Sequence, residues 1–283
     1  MGGRKLTYRE ICESFKKVNI ENARGEAELL ISEIMGEFSE DRDYQDERLC
    51  DAVRRRCEGY PLQYIIGKWW FARCELEVSE ECLVPRPDTE SIVEEAVKLL
   101  PRNARFADLC TGSGCIAISI ADLRADTSGV AVELYPRTLE LAKRNAERNK
   151  VADRLEFIEG DVLLGDALGE ERFSAIISNP PYIRSDVIDT LSREVRHEPR
   201  VALDGGADGL IFYRAIVEKY QQNLTDDGYF IFEIGDSRGP NSDGTSHGGS
   251  DGGGTNPHAI AEPERRTETG KHRASDGYQA SDG

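Results

Sequence analysis

From Asp88 onward the apolar positions alternate between two periods. Short apolar runs around Phe106–Leu109, Gly129–Leu134, Leu155–Asp161, Phe173–Ser178 and Gly228–Gly235 are separated by stretches of helical spacing. Runs this short, rich in β-branched and aromatic residues, predict buried strands. Their alternation with helices predicts an α/β, doubly wound, mostly parallel sheet with right-handed crossovers and helices on both faces. Ile92, Val93, Ala96, Val97 and Leu100 mark the first of these helices, with Asp88 or Thr89 placed to cap it. Before this region the period is helical. Glu26–Met35 has helical spacing, and Asp46–Cys57 carries Leu49, Val53 and Cys57 at i, i+4 and i+8. The division expected is a helical unit over 1–70, a hairpin linker over 71–87, a main domain over 88–239 and a low-complexity tail over 240–283. The helical unit holds no candidate chemistry, so partner docking is its expected role. The hairpin is read from loose alternation between Trp69 and Pro85. Trp69 and Trp70 are expected to be buried between the units.

The chemistry concentrates where these strands end. Phe173–Ser178 runs into Asn179-Pro180-Pro181-Tyr182. Two prolines cannot continue a ladder, so the chain must leave the sheet rigidly. An amide side chain, a fixed carbonyl and an aromatic ring are left at the carboxyl end of a strand, where open α/β sheets bind ligands. This trio suits the holding of a planar, amide-like nitrogen. The Asn179 oxygen and the Pro180 carbonyl each accept one N–H, and the Tyr182 ring stacks on the amide plane.

Upstream, Phe106-Ala-Asp-Leu-Cys-Thr-Gly-Ser-Gly-Cys115 reads as strand, glycine turn and helix. Gly112 and Gly114 allow tight turning and close approach to a ligand, and the helix start favours a negatively charged ligand group. No Gly-Lys-Ser/Thr follows, so this is not a nucleotide-triphosphate loop. Glu133 ends the next strand, placed for a ribose diol. Asp161 ends the one after, placed to accept from an adenine amino group, with Val162 covering the ring. In order, these features describe a site for adenosine carrying a charged tail beside a nucleophile clamp.

At these residues the chain resembles the S-adenosylmethionine-dependent release factor glutamine methyltransferases, over roughly 5–239. The specific segments are Glu58-Gly-Tyr-Pro-Leu-Gln-Tyr-Ile-Ile-Gly67, Leu83-Val-Pro-Arg-Pro-Asp-Thr-Glu90 and Glu198-Pro-Arg-Val-Ala-Leu-Asp-Gly-Gly-Ala-Asp-Gly-Leu210. Asn-Pro-Pro-Tyr alone also occurs in adenine-modifying methyltransferases. The resemblance implies a class I methyltransferase fold with S-adenosylmethionine as cofactor. It implies methionine contacts from Asp108, Leu109, Cys110, Thr111, Gly112 and Gly114, with the ribose on Glu133 and the adenine near Asp161 and Val162. Asn179 would touch both cofactor and substrate, and Asn179, Pro180, Pro181 and Tyr182 would clamp a glutamine amide. Cys110 stands where the family often has a third glycine.

Charge and composition narrow the partners. The formal charge is −17, and 32 basic residues face 46 acidic ones before Pro240. Nucleic-acid affinity comes largely from cations on phosphates, so direct nucleic-acid binding is not expected, and a protein partner such as a peptide chain release factor fits better. N6-adenine methylation of RNA or DNA is the rival activity, and an inactive truncated methyltransferase is the other. No apolar run approaches the ~18 residues of a membrane span, and no signal peptide is visible at the start. A cytoplasmic monomer is expected. Seven cysteines without CxxC or zinc spacing read as reduced thiols, and no metal is expected. The tail carries nine glycines and little apolar material. The family continues there with a helix and an antiparallel strand pair. Disorder is therefore expected from Pro240, with no strand added beside Gly228–Gly235.

Overall fold

A computed structural model describes residues 5–235 and the backbone of 258–261. The chain opens with a short strand β1 (Leu6–Thr7) and helices α1 (Tyr8–Lys17) and α2 (Ala23–Met35), followed by β2 (Asp43–Tyr44), α3 (Glu47–Cys57) and α4 (Leu62–Ile66). β1 and β2 pair antiparallel. Thr7 and Glu10 form a reciprocal capping box at α1, Asn22 caps α2, and Asp46 caps α3. Ile11, Phe15, Leu30, Ile31 and Leu49 make a core of their own, as the helical spacing requires.

The hairpin follows as β3 (Lys68–Phe71) and β4 (Cys74–Glu77), turning through Ala72 at φ +50°. It is more than a linker. Phe71, Cys74 and Leu76 are buried in the same cluster as the helices that cover the main sheet. Trp69 is partly buried, but Trp70 is 63 % exposed. The expected burial of the pair fails at Trp70 because alternate residues of a two-stranded ribbon face opposite sides, and only one side has a partner here.

Beyond the hairpin come α5 (Glu90–Leu99), β5 (Arg105–Leu109), α6 (Cys115–Leu123), β6 (Ser128–Glu133), α7 (Pro136–Arg148), β7 (Leu155–Glu159), β8 (Phe173–Ser178), α8 (Ile211–Tyr220), β9 (Leu224–Glu233) and β10 (His258–Ala261). The sheet order is β10-β9-β8-β5-β6-β7. All pairs are parallel except β10 with β9. Alternate strand residues separate cleanly. Phe106, Ala131, Ile177 and Ile231 pack under α5 and α6, while Ala107, Val132, Ile176 and Phe232 pack toward α8. The order reverses between β5 and β8, which opens a crevice at their carboxyl ends.

Two expectations are corrected. Residues 258–261 do add a strand, with His258 opposite Glu233 and Ala261 opposite Phe230. The pairing is made by backbone groups, which a short segment of almost any composition can supply. The expected disorder of the rest of the tail lies outside the described residues. Thr89 is the second correction. It lies in helical backbone without a side-chain cap bond, as the last residue of a 3₁₀ turn at Pro87–Thr89, and its hydroxyl is used elsewhere.

Candidate active site

β5 and β8 are joined at the crevice by Ser178, whose Oγ donates to the Leu109 carbonyl at 2.5 Å. The turn after β5 holds Cys110 at φ +63°, Gly112 at +56° and Gly114 at +84°. A β-carbon on Gly112 would meet nothing within 4 Å. On Gly114 it would lie 2.8 Å from Ile118 Cδ1 and 3.3 Å from Ala142 Cβ. Gly112 is therefore the glycine facing open space, while Gly114 is required by the packing of α6 on α7. Cys110 occupies a left-handed backbone with a side chain, which costs on the order of 1 kcal/mol relative to glycine.

Asp108 points away from the crevice, under α6. Its Oδ2 accepts from Thr111 Oγ1 at 2.6 Å and from the Ala117 N–H at 3.2 Å. The carboxylate thus occupies part of the helix start that the sequence offered to an anionic ligand. Its Oδ1 has no partner among the described residues. Burial raises its pKa to about 7, against the opposing bonds from Thr111 and Ala117.

Glu133 is 8 % exposed and held from both sides. Oε2 accepts from the Gly112 N–H at 3.0 Å and Oε1 from the Tyr135 N–H at 3.1 Å. Burial raises its pKa while these N–H groups lower it. Asp161 accepts from the Leu163 N–H at 2.8 Å, and Val162 is buried.

A cavity of about 290 Å³ gathers Cys110, Thr111, Gly112, Glu133, Asp161, Val162, Asn179 and Pro181 on its walls. Asp108, Leu109 and Gly114 do not line it; Leu109 is core, and the other two shape the turn from behind. Its charged walls are Glu81, Glu133, Asp161 and Asp204 against Arg86, so a cationic ligand group is favoured over a phosphate. Three thiols, Cys82, Cys110 and Cys115, also line it. Burial pushes Cys82 up to about 12 and raises Cys110 and Cys115 as well.

A second cavity of about 250 Å³ adjoins the first. Leu83, Arg86, Asn179 and Ala202 belong to both, and Pro180 and Tyr182 line the second alone. Asn179 Nδ2 donates to Thr89 Oγ1 at 3.2 Å. The Tyr182 hydroxyl lies 3.4 Å from Glu233 Oε1, and a β-carbon on Gly235 would come within 2.8 Å of the Tyr182 ring. Glu233 is buried, with its Oε2 unpartnered among the described residues and its pKa raised chiefly by desolvation. Asn179 to Tyr182 are braced from behind by Leu203–Gly209. Ile183 N–H donates to the Leu203 carbonyl at 2.9 Å, and a β-carbon on Gly205 would sit 2.7 Å from Tyr182 Cα. That contact explains Gly205, while its neighbour Gly206 is a glycine for its left-handed backbone at φ +85°.

Sequence reasoning missed Thr89, Glu233, Arg86 and Glu198. Arg86 and Glu198 form an ion pair in which the Glu198 side chain is 1 % exposed, and Glu198 also accepts from the Val84 N–H at 3.0 Å. Both residues lay in family-like segments, but only their long-range meeting gives them a role. Among the described residues no group of three His, Cys, Asp or Glu is arranged to hold a metal ion, and no helix is long and apolar enough to cross a membrane.

Residues 89–226 match the family model of the methyltransferase small domain, and residues 7–67 match that of the PrmC N-terminal domain. A release factor glutamine methyltransferase of Geobacter sulfurreducens is 41 % identical over 226 residues, covering 76 % of this chain and 78 % of that protein. One from Agrobacterium fabrum is 38 % identical over 230 residues, covering 74 % and 77 %. Among solved structures, the hMettl16 catalytic domain in complex with the MAT2A 3′UTR hairpin 1 aligns at 18 % identity with a TM-score of 0.48, covering 67 % of this chain and 66 % of that one. With family models over both the helical unit and the sheet, and relatives this similar over three quarters of its length, the chain belongs to the release factor glutamine methyltransferase family.

Proposed function

We propose that this protein transfers a methyl group from S-adenosylmethionine to the side-chain amide nitrogen of a glutamine in a peptide chain release factor. The observation that carries the reading is the pair of adjoining cavities meeting at Asn179. S-adenosylmethionine, when bound, supplies an electrophilic methyl group on a cationic sulfur. The residues present fit that cofactor. Glu133, anchored by two backbone N–H groups, retains oxygen lone pairs for the ribose hydroxyls. Val162 and Phe212 offer apolar wall for a flat ring, and the acidic lining suits the positive charge.

In the second cavity, Asn179 and Pro180 hold the substrate amide. Thr89 takes the Asn179 N–H, so the Asn179 oxygen is the end that accepts from the substrate. The Pro180 carbonyl accepts the second N–H. An amide nitrogen is a poor nucleophile because its lone pair is delocalised. Fixing both N–H bonds aims the lone pair at the first cavity and favours the charge that develops on nitrogen. Tyr182, its ring fixed by Gly235 and its hydroxyl by Glu233, flanks the amide plane. The proton leaves to water, so no side chain is assigned as general base.

The formal net charge of −17 favours a protein substrate over nucleic acid, and we take the protein to act as a monomer in the cytoplasm, where release factors work. Incubation of the protein with S-adenosylmethionine and a release factor, followed by peptide mass spectrometry, tests the reading. One added methyl on a glutamine side chain is expected. Methyl transfer to RNA or DNA adenine, with none to the release factor, would replace this reading by its rival.

A further inference from the structure

The helical unit reaches the amide pocket through the turn between α3 and α4. Arg56, in the last turn of α3, is 3 % exposed. Its Nε and Nη2 meet Glu26 of α2 at 2.5 and 3.0 Å, and Nη1 donates to the Tyr60 carbonyl at 3.2 Å. Nη2 also meets Glu194 at 2.7 Å. Glu26 and Tyr60 belong to the helical unit. Glu194 does not, because it lies in the stretch whose Leu191 and Val195 wall the second cavity.

Further contacts converge on the same stretch. The Tyr60 ring stands 5.1 Å from that of His197, and Arg55 lies over Tyr60 at 4.0 Å. Gly59 has φ +85°, and a β-carbon there would fall 2.6 Å from Arg193 Cδ. The backbone bonds Arg196 to Ser192, His197 to Glu194 and Glu198 to Val195 are all local turns. Such turns do not fix a segment relative to the sheet. Side-chain tethers therefore set its place, with Glu194 on Arg56 toward one end and Glu198 on Arg86 and Val84 at the other.

We propose that the Arg56–Glu194 contact makes the helical unit a shaping element of the amide pocket, with both as positioning residues that set where Leu191 and Val195 stand against the substrate. The inference rests on the methyl-transfer reading above. It gives the helical unit a role within the pocket in addition to docking.

Glu194→Ala is the informative variant. Its side chain is half-exposed, and the Arg56–Glu26 pair stays intact without it, so the fold is retained. The expected result is a KM for the release factor raised about fivefold, the scale of losing one partly exposed ion pair. The kcat and the affinity for S-adenosylmethionine stay at parental values. In the ligand-free protein, amide hydrogen exchange over residues 191–198 accelerates by a similar factor. Glu194→Gln, which keeps an acceptor for Arg56, recovers part of both effects. Parental KM and parental exchange in Glu194→Ala would overturn the proposal, as would a loss confined to kcat. If the parent methylates no release factor, the functional reading falls, and the exchange measurement still decides the tether.

Discussion

Asn179 Nδ2 donates to Thr89 Oγ1 at 3.2 Å, joining the end of β8 to the start of α5 across 90 positions of sequence. The bond fixes which end of the amide is presented to the second cavity. A rotated Asn179 would offer a donor to the substrate amide, which needs acceptors.

The first expected outcome follows from that bond. Asn179→Ala lowers kcat by roughly 10²–10³, the scale of losing one preorganised polar contact. Thr89→Val, which keeps Asn179 but frees its amide, lowers kcat by about tenfold, one ordinary hydrogen bond. Single-turnover methyl transfer at saturating cofactor measures both. Equal losses in the two variants would mean that Thr89 acts in some other way.

Glu133 is the expected determinant of cofactor affinity. Both of its oxygens face backbone N–H groups. Glu133→Gln would set an amide N–H against one of those donors, and Glu133→Ala would remove both acceptors. Each variant weakens S-adenosylmethionine binding at least about tenfold, the scale of a lost charge-assisted hydrogen bond. Titration calorimetry reads the affinity. A 2′-deoxy analogue, which keeps one of the two ribose hydroxyls, is expected to lose less affinity on substitution than S-adenosylmethionine does.

The two glycines of the β5–α6 turn separate stability from binding. Gly114→Ala combines left-handed backbone with a 2.8 Å contact to Ile118, and costs about 2–3 kcal/mol. Gly112→Ala carries only the backbone term, about 1 kcal/mol, but places a methyl beside the ligand. Denaturant melts and cofactor titrations should therefore rank the two variants in opposite orders.

Asp108 gives a pH dependence with a definite sign. Its folded pKa, about 7, lies above the ordinary 3.8. Its contribution to stability is thus fully present below about pH 4 and lost as pH rises through about 7. Asp108→Asn keeps an acceptor for Thr111 and Ala117 but does not titrate. The melting temperature of this variant, relative to the parent, should rise between about pH 4 and 7 and level off above. Glu133, Glu198 and Glu233 shift in the same direction, so the comparison with the variant isolates Asp108. A difference flat across this range would show that Asp108 is ionised in the folded protein.

Much of this site was legible because its first half is local. A strand end, a turn and the next strand end recur in order along the chain, so Gly112, Glu133, Asp161 and Asn179 could be placed from spacing alone. What supports them was not legible. Thr89 looked like a helix cap, since a threonine before an apolar helix ordinarily is one. Its hydroxyl instead meets a residue that only the sheet order brings near. Glu233 ends an apolar strand, and nothing nearby in the sequence shows that it lies behind Tyr182. Trp70 misled because composition gives no sidedness for a two-stranded ribbon. In the tail, residues 258–261 were too brief an apolar run to stand out among glycine and serine, yet sheet pairing requires little more than backbone.

The three thiols around the first cavity set a condition on keeping a methyl donor there. A sulfonium methyl is attacked by sulfur more readily than by an amide nitrogen, and the attacking species is the thiolate. Burial and the neighbouring carboxylates hold Cys82, Cys110 and Cys115 in the thiol form well above neutral pH. Burial first, and the acidic lining after it, thus work against transfer of the methyl group to the enzyme's own sulfur.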